Sequence, residues 1–150
     1  MAKFYQSDAT LILRVIRDHI NTWDELPMDL KLEDVGKSIP SMMIQQLASI
    51  AKKRKYVNGT YVGVFNFAVY VAIDGEDTAS RIDALAVLND LGEWLSARDE
   101  KGHYLNLPDL GECRRAISVT VSSSPSIASR QDNGVEEYQA LFALEYMAIG

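Results

Sequence analysis

The chain has 150 residues, 47% hydrophobic and 24% charged, enough for one domain with a real core and too few for two. A net charge of −6 and an isoelectric point near 4.9 argue against wrapping free nucleic acid, which needs a net or local basic field. The single cysteine, Cys113, excludes an intrachain disulfide and is compatible with a reducing compartment.

Residues 7–25 read as an amphipathic helix. Ser7 or Asp8 is its expected cap, and Ile12, Ile16, Ile20 and Trp23 recur every three to four positions. Arg14, Arg17, Asp18 and Asn21 occupy the other side, and Pro27 is the expected stop. Residues 27–40 are turn-rich, with Leu30, Leu32, Val35 and Ile39 as core candidates. Residues 41–47 are ambiguous in period; the preceding Pro40 and the following basic turn favour a strand.

Lys52-Lys53-Arg54-Lys55 is the one dense positive patch on an acidic chain. As plain structure it is a solvated hairpin arm whose lysines protect an edge strand. As a functional element it would contact an acidic partner surface or passing DNA. Asn58-Gly59 then predicts a two-residue hairpin turn, and residues 61–73 a long strand with a bulge or bend at Gly63.

Asp74, Glu76 and Asp77 precede a second helix, with Asp77 or Thr78 as its cap. Ile82, Leu85, Leu88, Leu91 and Leu95 form its expected apolar stripe, and it should stop near Ala97. A polar loop follows over 98–110. Ile117, Val119 and Val121 alternate in a strand over 113–121, which Ser122-Ser123-Ser124-Pro125 should break. Asp132-Asn133-Gly134 is a turn. Tyr138, Ala140, Phe142, Leu144 and Tyr146 then fall two apart in a final strand. The expected architecture is α+β: a two-layer sandwich with a mostly antiparallel, curved sheet and two helices on one face.

Chemical signatures are sparse. His19 reads as a packed or half-exposed side chain of the first helix. His103 with Cys113 lacks the ligand number a zinc site demands. Asp74, Glu76 and Asp77 lack the calcium-loop pattern and read as a capping turn. No Gly-rich phosphate loop and no Gly-x-Ser-x-Gly elbow occurs. No catalytic, metal or cofactor residue is therefore expected. The start of the chain lacks a signal-peptide pattern and no apolar run is long enough to span a bilayer, so a cytosolic setting without a membrane partner is expected.

The succession of Ser41-Met42-Met43-Ile44-Gln45-Gln46-Leu47, the basic run up to Asn58-Gly59, Phe65-Asn66-Phe67-Ala68-Val69-Tyr70-Val71, the acidic turn and Leu88-Asn89-Asp90-Leu91-Gly92-Glu93-Trp94-Leu95 resembles the small minor capsid proteins of Gram-positive siphophages, in the tail-terminator (tail-completion) group. The resemblance covers about residues 8–149 and rests on hydrophobic-pattern and turn motifs. It implies a curved sheet with packed helices, no cofactor, and a ring, usually a hexamer. That ring would cap the tail tube, join it to the head connector and surround the DNA path of the virion. Lys52, Lys53, Arg54 and Lys55 become candidate contacts to a partner or to the DNA path. Ser123, Ser124, Ser126, Arg130, Asp132 and Asn133 become a candidate docking loop, flexible until tube or connector is met. The acidic net charge departs from what a DNA path suggests. Two other readings stay open: a small dimeric ligand-binding or regulatory module with a pocket near Trp94 and Tyr104, and an enzyme using Asp74, Glu76 and Asp77 with His103.

Overall fold

The computed structural model describes residues 8–32, 39–48 and 50–149. The elements in chain order are α1 (Asp8–Ile20), β1 (Leu30–Leu32), β2 (Ser41–Gln46), β3 (Ile50–Lys55), β4 (Tyr61–Asp74), α2 (Thr78–Ser96), β5 (Arg114–Arg130) and β6 (Val135–Ala148). The six strands form one sheet in the order β1-β2-β4-β6-β5, with β3 also paired to β4. Only β1 and β2 run parallel. The fold is α+β, as the hydrophobic periods predict.

The centre of the sheet is the β4–β6 pair, in register without a break from Tyr61↔Ala148 to Asp74↔Val135. The two period-2 patterns therefore lie against each other. Phe65, Phe67, Val69, Val71 and Ile73 of β4 meet Tyr138, Ala140, Phe142 and Leu144 of β6 in one buried cluster. Phe67 stacks on Phe142 at 5.2 Å between ring centres. Ile12, Ile16 and Ile20 of α1 and Ala84, Leu88, Leu91 and Leu95 of α2 close this cluster from the same side. The final strand is thus an interior one, flanked by β4 and β5.

Several expectations need correction. The first helix stops at Ile20, five residues short of the predicted end. Asn21 explains this: its side chain both donates to Leu30 O (3.1 Å) and accepts from Leu30 N (2.8 Å), holding the chain to the start of β1. The next turns tighten to i→i+3 bonds, Thr22 N to His19 O and Trp23 N to Ile20 O. Asp8 is the first helical residue, while Ser7 and Val35 lie outside the described residues. Leu30 joins the core but Ile39 is exposed. Residues 41–46 are the strand that was favoured.

The second helix runs as predicted, with Asp77 as N-cap and Ala97 as C-cap. Its buried face, however, is Ala84, Leu88, Leu91, Gly92 and Leu95. Ile82 is 63% exposed and Leu85 sits at the margin. Small residues mark where this helix touches the sheet: a Cβ on Gly92 would stand 3.1 Å from Val121 Cγ2.

The basic run is no turn. Residues 52–55 belong to β3, which pairs with residues 61–64 of β4 on the same side where β2 pairs with residues 67–72. The irregularity expected at Gly63 lies opposite it. Ile50 pairs with Val64 and Arg54 with Val62, so β3 carries the extra residues while β4 stays in register with β6. Both hairpins close with three-residue loops rather than the two-residue turn predicted at Asn58-Gly59. Gly59 N donates to Tyr56 O and Tyr56 N to Thr60 O; Gly134 N donates to Gln131 O and Gln131 N to Val135 O. Gly59 (φ 88°) and Gly134 (φ 86°) take the left-handed position that such loops need.

The largest departure is β5. Ser122-Ser123-Ser124-Pro125 does not end it, and the strand continues to Arg130 against β6. Four register shifts spread between Ala116 and Ser129 absorb the extra residues. Proline is tolerated because β5 is an edge strand, where an outward N–H has no ladder partner to lose. The first shift also sets Ile117 out of phase with Val119: Val119 is buried while Ile117 is exposed, and Val121, still in register with Val119, is exposed as well.

Candidate interaction surfaces

The carboxylates singled out earlier serve as caps. Asp74 Oδ1 accepts from Glu76 N at 3.0 Å. Asp77 accepts from Ala79 N (3.0 Å) and Ser80 Oγ (2.9 Å). The Ser80 hydroxyl, then the Ala79 and Ser80 amides, hold its carboxyl below the ordinary aspartate value. His19 is half-buried, stacks on Trp94 at 5.0 Å, and places Nε2 2.7 Å from Asn106 O. His103 is exposed and sits 3.2 Å from Asp99 Oδ2 in the loop after α2. Cys113 is exposed, and among the described residues no group of three metal-ligating side chains converges. No helix among them is long and apolar enough to cross a membrane.

Among the described residues the one buried charge is Glu136, on the core face of β6. Its carboxylate accepts from Arg81 Nε (2.8 Å), Arg130 Nε (2.8 Å) and Tyr138 Oη (3.1 Å). Desolvation is the largest single influence on it and raises its pKa. The hydrogen bonds from Arg130, Tyr138 and Arg81, with the Arg81 charge, outweigh that and hold it below the ordinary glutamate value. Burial, then the Glu136 carboxylate, pushes the Tyr138 hydroxyl up. This node ties α2 to the far end of the β5–β6 hairpin, and sequence reasoning missed it. Glu136 stands in the buried parity of β6, and that phase is the signal that could have found it.

The docking-loop candidates Ser123, Ser126 and Arg130 pair with Leu141, Gln139 and Glu136 of β6, and Ser124 lies in β5 at the register shift between Ser123 and Ser126. Only Asp132 and Asn133 lie in a turn, where Asn133 Oδ1 accepts from Val135 N at 3.1 Å. The expected flexible loop is thus replaced by an ordered edge. The basic residues are together in β3. Lys53 Nζ reaches to 3.7 Å from Glu145 Oε2, while Arg54 and Lys55 are exposed with no ion pair. The hairpin tip beyond them exposes Tyr56 and, completely, Val57.

Two depressions bear on the pocket expected near Trp94 and Tyr104. One, of about 570 Å³, is lined by Thr22, Trp23, Asp24, Glu25, Asp90, Glu93 and Trp94. Its two indoles stack at 5.8 Å. Tyr104 is elsewhere, under the Arg98 guanidinium at 4.5 Å from the ring centre. The other, about 200 Å³ between Met28, Met42, Val71 and Val87, is smaller than ligand pockets usually are.

The face of the sheet opposite the helices is the broadest surface. Met43, Val64, Tyr70, Leu141, Ala143 and Met147 share its parity and are half-buried. Burial, then the nearby Glu137 carboxylate, pushes the Tyr70 hydroxyl up. Ala68 on this face is buried between its cross-strand neighbours Gln45 and Leu141. Comparison with protein-family models and with curated proteins finds no match to this chain.

Proposed function

We propose that this chain is a structural protein of a siphophage virion, a tail terminator whose copies form a ring, usually of six. The ring caps the finished tail tube and joins it to the head connector, leaving a central path for DNA. The observation that carries this reading is the sheet face opposite the helices, which no element among the described residues covers. It is half-apolar, spans β2, β4, β6 and β5, and is bordered by long strands, a form suited to contact between proteins rather than to a reaction. The element order supports the reading: a helix, sheet strands, a second helix before β5, and the β5–β6 hairpin.

The test is light scattering after size exclusion, over a concentration series and with purified tail tubes, together with electron microscopy of the tubes. Binding confined to tube ends, with ring-shaped density there, is the expected result. A dimer of fixed mass that ignores tubes refutes the proposal.

A further inference from the structure

The charges of this chain are unevenly placed, and two of its surfaces are complementary. The first is the tip of the β3–β4 hairpin. It presents Arg54 and Lys55 without ion pairs, beside exposed Tyr56 and a fully exposed Val57. β4 has 14 residues and α2 has 19, so the strand extends about 46 Å and the helix that returns over it about 28 Å. The hairpin therefore projects past the end of α2. An isolated apolar side chain at the tip of an arm gains nothing within its own molecule.

The second surface is the groove between the turn after α1 and the last turns of α2. Trp23 and Trp94 form its floor, and Asp24, Glu25, Asp90 and Glu93 ring it, all four exposed and without ion pairs. An indole floor within a ring of carboxylates suits a cationic arm with an apolar end, because cation–π and charge contacts act together there.

We propose that the hairpin tip of one copy docks into the Trp23–Trp94 groove of a second copy. The contact pairs different surfaces, so it either is exchanged reciprocally in a two-fold dimer or runs head-to-tail until rotation closes it; the ring reading selects the second. It deepens the ring reading, resting on it for closure into a ring, and it assigns the basic run to a neighbouring copy rather than to DNA. Arg54 and Lys55 supply charge, and Val57 and Tyr56 displace water from the indoles.

The experiment is sedimentation velocity of the full chain over a concentration series at low and high salt. Two variants are compared with wild type: Arg54→Glu/Lys55→Glu and Asp90→Lys/Glu93→Lys. All four positions are exposed, and matching thermal melts verify that the variants fold. The wild type is expected to self-associate, more weakly in salt as the charges are screened. Each variant alone should associate about tenfold more weakly, since like charges then face each other. An equal mixture should recover association, because each reversed surface meets its opposite on the other variant. Val57→Ser should weaken association with the charges intact.

A wild type that stays monomeric at every concentration overturns the proposal, as does a mixture that fails to recover. Loss of DNA retention by the tip variant with unchanged self-association also overturns it. Self-association through these surfaces by a protein that ignores tail tubes leaves the docking standing and removes the tail reading. Tube-end binding by a chain that never self-associates does the reverse.

Discussion

Gly75 joins β4 to the cap of α2 and offers a sharp test of the packing around Glu136. Its N–H donates to Gly134 O at 2.8 Å. A Cβ there would lie 2.6 Å from Glu136 Cγ, 2.7 Å from Glu136 Cδ and 2.7 Å from Gly134 O. None of these atoms is free to give way. Gly134 O is backbone within a tight hairpin, and the Glu136 carboxylate is fixed by Arg81, Arg130 and Tyr138. Gly75→Ala should therefore act as overpacking and cost about 1–3 kcal/mol. For a chain of 150 residues that is a fall in Tm of roughly 3–10 °C. Urea and thermal unfolding followed by far-UV circular dichroism measure it. If the contact is the cause, Gly75→Ala should cost less in a Glu136→Ala background, with only partial relief because Gly134 O remains. A change below about 0.5 kcal/mol, the scale of ordinary surface substitutions, refutes the reasoning.

Phe142→Ala removes a fully buried ring stacked on Phe67 and should cost about 3–5 kcal/mol, read as a lower urea midpoint at unchanged slope. The Glu136 carboxyl sits below its ordinary value when folded, so its contribution is present above the unfolded value and is lost as pH falls through the folded one. Stability plotted against pH should accordingly fall on the acid side in wild type and be flatter there in Glu136→Gln. Hydrogen exchange should find the β6 amides the slowest, and the amides of β5 that bond to β6 protected beyond Pro125. Uniformly fast exchange over residues 122–130 would restore the loop that the sequence suggests.

The period-2 and period-3.6 patterns were enough to recover the architecture. Both helices and the β4 and β6 strands were legible because large side chains recur in phase along them, whereas the 41–46 strand is legible only from its flanks, Pro40 above all, and the pairing of β6 with β4 was not legible. Misreadings share a cause: local signals outvoted by pairing. Lys52 to Lys55 lie in the arm of a hairpin, as their plain structural reading has it, but pair with β4 as a strand rather than forming the basic turn expected after residue 47. Three serines and a proline look like a break, yet an edge strand with bulges accepts them. Ile82 was assigned inward because it is apolar, whereas the helix meets the sheet through Ala84 and Gly92. Among the site residues, the basic run was visible as composition. The acidic groove was not, since Trp23, in the turn after α1, meets Trp94 of α2 only through tertiary packing.

The interior position of β6 governs the order of events during synthesis. β4 is complete at residue 74, but the strand that fills its open side ends at residue 148. At ordinary elongation rates that interval is roughly 4–15 s. For all of it, β4 lacks its longest partner, and β5 has no strand to pair with when it emerges. A nascent chain whose residues 135–148 have not emerged can lay its helices on half a sheet, but it cannot present the finished sheet face. Neighbouring polysome chains thus meet as incomplete molecules, and the surface for assembly matures only once residues 135–148 have left the exit tunnel.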